Sequence, residues 1–254
     1  MTAPYTHGHQ ESVLRSHRWR TAENSCAYLL PHLQPEMTLL DVGCGPATIT
    51  ADLATRVASV VGIDPSETVI AEARRDHPDL DLRVLDLFEA QGHFDVVHAH
   101  QVLHHLPDPV AALRRMAALG DLVAARESDY TWFQWEPASP VLDRWREIYL
   151  AVSRRNGAYP NTGRHLLRWA HEAGLDDVTY TTSNWTFATP EDRSWWCGLW
   201  ADRCTESSFA AQAVDYGVAT AAELAEVAAG WRAWGEDPDA VFVVPSGEIL
   251  ARLR

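Results

Sequence analysis

An α/β fold on a doubly wound, mostly parallel sheet is what this 254-residue sequence predicts. Three observations carry that reading. Short continuous apolar runs alternate with helix-like segments between residues 36 and 130. The first run ends in a turn with two glycines, Gly43 and Gly45, that opens a helix. The second run ends in Asp64, where doubly wound folds carry a ribose-binding carboxylate.

The elements follow in chain order. Residues 10–33 read as one helix, with Val13, Leu14, Ala22, Cys26, Leu29, Leu30 and Leu33 at near-helical spacing and Pro31 and Pro35 ending it. Residues 38–42 are the first strand, 46–58 a helix with Pro46 in its first turn, and 60–63 the second strand. Ser66 is the expected N-cap of a helix to residue 75. Strands are expected at 80–85, 94–99 and 122–125, with a helix at 108–119. Beyond residue 130 the pattern turns helical, at 141–155, 164–173, 191–214 and 221–234. A Thr-rich strand at 178–187 and an interrupted strand or hairpin at 240–244 and 248–253 complete a seven-stranded sheet. The expected organisation is a lid segment over 1–35 and one domain over 36–254, with cap helices mainly in 131–160 and 190–235.

The segment Asp41-Val42-Gly43-Cys44-Gly45-Pro46-Ala47-Thr48 is the strongest local signal. Its glycines let a ligand approach the backbone, and the helix start offers unpaired N–H groups. A dinucleotide fingerprint needs glycine where Thr48 stands, which speaks against a dehydrogenase. The spacing D-x-G-x-G-x-G instead resembles the first motif of the class I S-adenosylmethionine-dependent methyltransferases, with Ala47 in place of the third glycine. Residues 94–109, FDVVHAHQVLHHLPDP, look like the F-D-x-V…L-x-H-L-x-D-P signature of the small-molecule branch typified by ubiquinone- and menaquinone-biosynthesis methyltransferases. The match is good over residues 36–130 and looser over 140–254.

The resemblance implies a Rossmann-like methyltransferase fold and S-adenosyl-L-methionine as cofactor. It places cofactor contacts at Asp41, Gly43, Cys44, Gly45, Asp64 and Pro65, with Asp86 and Leu87 at the adenine and His100 and Gln101 beside the methionine part. The family often closes an N-terminal segment over the cofactor, so Tyr5, His9, and Arg18 or Arg20 are candidates there, the arginine for the cofactor's carboxylate.

Methyl transfer to oxygen or nitrogen needs a proton acceptor, and twelve histidines offer one. His9 and His104 are the expected catalytic residues. His105 lies nearer the family's motif histidine, but neighbours on a helical turn point about 100° apart, so at most one faces a pocket squarely. His98, on a strand, reads as a core residue. Arg126–Tyr130 leaves the carboxyl edge after the fifth strand, where Glu127 or Asp129 is expected to orient a polar substrate beside Trp132 and Trp135; the alternative is a solvated loop with its aromatics packed under the cap. The histidines of 98–105 lack partners at metal-ligand spacing, so no metal is expected.

Composition narrows the partners. With 21 basic and 35 acidic side chains the net charge is −14, which repels phosphate backbones and anionic membranes. No apolar stretch is long enough to span a bilayer, the first ten residues are polar, and four scattered cysteines suggest free thiols. A cytoplasmic monomer or homodimer acting on a small molecule is expected, without nucleic acid. Of 11 tryptophans only Trp19 precedes residue 130, which suggests an aromatic cap supplying part of an acceptor pocket. The expected activity is methyl transfer to O, N or C of a small aromatic or polycyclic metabolite. The alternative is a cofactor-binding or protein-interaction member of the same fold that transfers no methyl.

Overall fold

The computed structural model describes residues 11–253. In chain order the elements are α1 (Glu11–Arg18), α2 (Ala22–Ser25), β1 (Thr38–Val42), α3 (Thr48–Ala54), β2 (Ser59–Asp64), α4 (Glu67–Asp76), β3 (Asp81–Val84), β4 (Phe94–His100), α5 (Pro109–Leu119), β5 (Gly120–Ser128), β6 (Gln134–Glu136), α6 (Pro140–Arg155), α7 (Leu166–Glu172), β7 (Asp177–Phe187), α8 (Pro190–Glu206), α9 (Ser208–Asp215), α10 (Ala221–Gly235) and β8 (Val241–Arg252). Short 3-10 turns at Leu30–His32, Leu103–His105, Tyr130–Trp132 and Thr162–His165 join them. The sheet order is β3-β2-β1-β4-β5-β8-β6, with β7 paired to β8, so a short eighth strand joins the seven expected.

The chain divides into two compact units. The first comprises His17–Ser128, Thr162–Ser183 and the chain from Ser246 onward. In it β3, β2, β1, β4 and β5 pair in parallel, and β8 lies antiparallel to β5 from Leu122↔Arg252 to Ser128↔Ser246. The apolar runs form central strands because both faces are covered. One face packs Val97, Ala99, Val123 and Ala125 against Ala112, Leu113 and Met116 of α5 and Trp169 of α7. The other packs Leu39, Val96, Leu122 and Ala124 against Ala22, Cys26, Leu29 and Leu53. Strand order reverses between β1 and β4, and the carboxyl ends beside such a switch point are where doubly wound folds bind ligands.

The second unit comprises, among the described residues, those from Glu11 up to Ser16, with Asp129–Asn161 and Asn184–Pro245. Its centre is aromatic: Trp145 meets Trp200 edge-on at 4.5 Å and Trp231 at 4.9 Å, and Phe187 stacks on Trp196 at 4.3 Å. The Trp234 indole donates to the Pro137 carbonyl at 2.9 Å. Most of the C-terminal tryptophans are therefore core of this unit, from α6, α8 and α10.

Several boundaries differ from expectation for identifiable reasons. The single helix over 10–33 is broken, because Thr21 caps a new helix and forms a reciprocal capping box with Asn24. The helix over 191–214 breaks at Ser207, which is extended (φ −110°, ψ 169°). The two late strand pieces are one strand, β8. Pro245 falls between the residues paired to β6, Val241–Val243, and those paired to β5, which start at Ser246. β5 runs on to Ser128 rather than stopping at Ala125.

Candidate functional site

The glycine turn joins β1 to α3 through residues 43–47. Gly43, Gly45 and Ala47 all have positive φ, at 65°, 55° and 63°. Ala47 takes the place of a third glycine and adopts a glycine's conformation, which costs an L-residue roughly 1–2 kcal/mol. Its methyl is fully buried in a small cluster with Ile70, Ala73 and Leu82, which offsets that strain. At Gly43 a Cβ would come within 2.5 Å of a Val102 methyl, whereas at Gly45 it would project into open space. The turn is thus closed on one side and leaves room at Gly45 for a ligand to approach the backbone.

Asp64 ends β2 next to this turn. Its carboxylate accepts from the Gly45 N–H at 3.3 Å and the Ser66 N–H at 2.9 Å, which ties the turn to the second strand. The residue is only half-buried, so a carboxylate of this placement can also take ribose hydroxyls. Pro65 is exposed beside it. Asp86, after β3, is half-buried and accepts from the Phe88 N–H at 2.8 Å. The Leu87 side chain is buried in the α5-side core, leaving its backbone for any ligand contact. Cys44 likewise turns its side chain into the small cluster, and burial pushes its thiol well up.

Two expected contacts are replaced by structural roles. Asp41 does not face the turn's open side. It is buried, accepts from the Thr50 hydroxyl at 2.6 Å, and pairs with His98 Nδ1 at 2.8 Å. Glu127 is not in a solvated loop offering itself to a substrate. It is fully buried on β5, with Oε1 accepting from the Val102 N–H at 2.7 Å and the Leu103 N–H at 2.6 Å, and Oε2 held 2.6 Å from His104 Nδ1. Its neighbour Arg126, also fully buried, donates from Nε to Glu248 at 3.2 Å and to Ser183 at 3.0 Å. Both charges stay inside because each meets a partner.

The exit of β4 gathers the remaining candidates. Gln101 has φ 54° and receives Arg20 at its side-chain oxygen, at 2.8 Å. Its amide donates to Ser128 at the end of β5. His100 is buried, and burial together with the Arg20 and Arg126 charges holds its pKa well below the usual imidazole value. The next turn, Leu103–His105, carries His104 with 8% of its side chain exposed. The Glu127 carboxylate settles the tautomer: Nδ1 carries the proton and Nε2 is the nitrogen that can accept one. His105 packs its ring against His104 at 3.7 Å.

Trp132 and Trp135 belong to the aromatic unit and are half-buried. Trp135 stacks on Phe242 at 5.6 Å and carries the Arg146 guanidinium at 4.5 Å from its centroid, so its ring serves packing within that unit. Tyr5 and His9 lie outside the described residues. Among the described residues, no group of three or more His, Cys, Asp or Glu side chains could hold a metal ion, and no helix is long and apolar enough to cross a membrane.

The sequence reading missed Thr50 and Ser128 as site-supporting residues and assigned His98 only to the core. No local signal marks them: Asp41 and His98 meet only because they are Cα partners on adjacent parallel strands.

Comparison with known proteins bears on this geometry. A family model described as a methyltransferase domain matches residues 14–180. A Schizosaccharomyces pombe protein named as an uncharacterized methyltransferase is 30% identical, covering 97% of this chain and 95% of its own. The ubiquinone biosynthesis O-methyltransferase of Pseudomonas paraeruginosa is 39% identical over 85 residues, 30% of this chain and 37% of that one. Among solved structures, coclaurine N-methyltransferase bound to N-methylheliamine and S-adenosylhomocysteine superposes with a TM-score of 0.53 at 14% identity, covering 89% of this chain and 71% of that one.

Proposed function

The chain belongs to the methyltransferase domain family, and on that premise we propose that it moves a methyl group from S-adenosylmethionine to a hydroxyl or amine of a small, aromatic or polycyclic acceptor. The observation that carries the acceptor chemistry is the His104–Glu127 pair on the turn after β4. When bound, S-adenosylmethionine supplies an electrophilic methyl on a sulfonium. The chain's own residues do the rest. The Gly43–Ala47 turn and Asp64 support the reading of a cofactor seat, since the turn leaves open room at Gly45 and the carboxylate sits beside it. Arg20, which donates to Gln101, is the partner proposed for the cofactor's carboxylate.

His104 takes the acceptor's proton at Nε2 as its heteroatom attacks. Glu127, hydrogen-bonded to Nδ1–H, holds the ring and stabilises the imidazolium that forms. Its second oxygen is fixed by two backbone N–H groups, so the ring is oriented before the acceptor arrives.

The test begins with calorimetric titration of S-adenosylhomocysteine, followed by methyl-labelled cofactor supplied with fractionated small-molecule extract. Binding and a labelled small-molecule product are expected. Binding without any labelled product would leave a cofactor-binding protein that transfers nothing, and would overturn the proposal. Asp64→Ala should weaken S-adenosylhomocysteine binding strongly. Unchanged affinity would place the ribose contact elsewhere.

A further inference from the structure

A second imidazole–carboxylate pair lies under the glycine turn, and nothing in the proposed reaction uses it. His98 Nδ1 is 2.8 Å from Asp41 Oδ1, and its Nε2 is 3.2 Å from Cys26 Sγ. The other Asp41 oxygen accepts from the Thr50 hydroxyl at 2.6 Å. Cys26, Thr50 and His98 are fully buried and Asp41 nearly so. Four separate pieces of chain therefore meet: the stretch after α2, β4, β1 and α3.

We propose that His98 is a positioning residue for the cofactor seat, acting through Asp41 and Thr50 to hold the Gly43–Ala47 turn in its binding shape. The turn cannot hold itself. Three of its five residues have positive φ, and one of them is an alanine. Backbone of this kind persists only where its surroundings over-determine it. Asp41 and Thr50 stand on either side of the turn, and their hydrogen bond closes it like a clasp. A buried carboxylate needs a countercharge, or its ionised form becomes too costly to keep. The imidazolium of His98 supplies that charge, so the clasp depends on the ring's proton.

The surroundings agree. The titratable groups facing the ring, among the described residues, are Asp41 of β1, Cys26 after α2 and His100 of β4. Tyr28 and the Arg126 guanidinium of β5 interact with those groups in turn. Burial works against charge on His98, but the Cys26 sulfur and the Asp41 carboxylate outweigh it and push the imidazole up to about 10.

The inference rests on the reading that the Gly43–Ala47 turn seats the cofactor, and it can be tested without any acceptor. S-adenosylhomocysteine is titrated calorimetrically into the full-length protein, into His98→Gln, and into the double variant Asp41→Asn/His98→Gln, from pH 6.5 to 10.5. The glutamine can still donate to Asp41 but carries no charge. Expected is a loss of affinity in His98→Gln of about tenfold. The double variant, a neutral pair with no stranded carboxylate, should recover part of it. Wild-type affinity should fall toward that of His98→Gln as the pH nears 10, with the variant's own profile correcting for titration of the ligand's amine. Equal affinity of wild type and His98→Gln at pH 7 would overturn the proposal, as would two parallel pH profiles. Absence of binding by the unaltered protein would overturn the cofactor-seat reading and this inference together. Nitrogen NMR of histidine-labelled wild type at pH 8 gives a readout that needs no variant to fold. Two protonated ring nitrogens on His98 support the proposal, and a neutral ring overturns it.

Discussion

Two buried histidine–carboxylate pairs sit in the sheet-bearing unit, and they are built differently. Asp41–His98 is closed: both ring nitrogens are engaged, one by the carboxylate and one by Cys26, and the pair is buried. Glu127–His104 commits a single ring nitrogen to its carboxylate, and the imidazole keeps a little exposure. The carboxylates are anchored differently too. Asp41 is tied by a side-chain hydroxyl, which joins two elements, whereas Glu127 is tied by two backbone N–H groups, which orient a turn. The difference teaches that an imidazole beside a carboxylate has no fixed meaning. What its second nitrogen does separates a strut from a base.

That contrast should appear in measurements of very different size. The largest effect is expected for His104→Ala, which should lower turnover about 10²- to 10⁴-fold while leaving S-adenosylhomocysteine affinity within about twofold. Steady-state rates and calorimetry together check this, and a comparable loss of affinity would make His104 a cofactor contact rather than a base. Next comes Glu127→Gln, which keeps a hydrogen-bonding side chain but removes the charge that stabilises the imidazolium. Turnover should drop roughly 10- to 100-fold in steady-state rates, with S-adenosylhomocysteine affinity little changed. An unchanged turnover would show that the Glu127 charge does not act through His104.

The strut should register in stability rather than rate. His98 is raised above an ordinary imidazole, from 6.5 to about 10, so the folded protein binds a proton that the unfolded chain releases. The resulting stabilisation is complete below about pH 6.5, shrinks as pH rises, and is gone above about 10. Chemical denaturation at several pH values should show this decline in wild type and a flatter profile in His98→Gln. Parallel profiles would remove the charge from the account of the pair.

The smallest effect is expected for Ala47→Gly. Glycine relieves the left-handed strain at φ 63° but gives up a buried methyl and adds freedom to the unfolded chain. These oppose each other, so the denaturation midpoint should shift by no more than about 1 kcal/mol in free energy. A large gain in stability would mean that the methyl contributes little to the cluster with Ile70, Ala73 and Leu82.

Much of this was legible in the residues. The β1 turn, Ser66 as a cap and Asp64 at a strand end are local signals, each set by residues a few positions apart. The roles of Asp41, His98 and Glu127 were not legible. Asp41 stands 57 positions from its imidazole, and Glu127 stands 23 from its own. A strand's charged end looks the same in sequence whether it leads into solvent or into a buried partner. Arg126 and Glu127 look like loop residues in sequence on that account, although β8 and the turn after β4 supply their partners.

The tryptophans divide along the same line. Their concentration after residue 130 marks a region of separate character, and the structure gathers most of them into the core of the second unit. Which ring faces which depends on the packing of α6, α8 and α10, and composition is silent about that. Periodicity, turn chemistry and the resemblance of the spaced motifs thus sufficed for the α/β class, the glycine turn and the family. They suffice because helices, strands and turns are dictated by neighbours within a few residues. Which histidine has both ring nitrogens engaged and which only one was decided when the strands came into register, because hydrogen-bond partners and burial are properties of the assembled sheet.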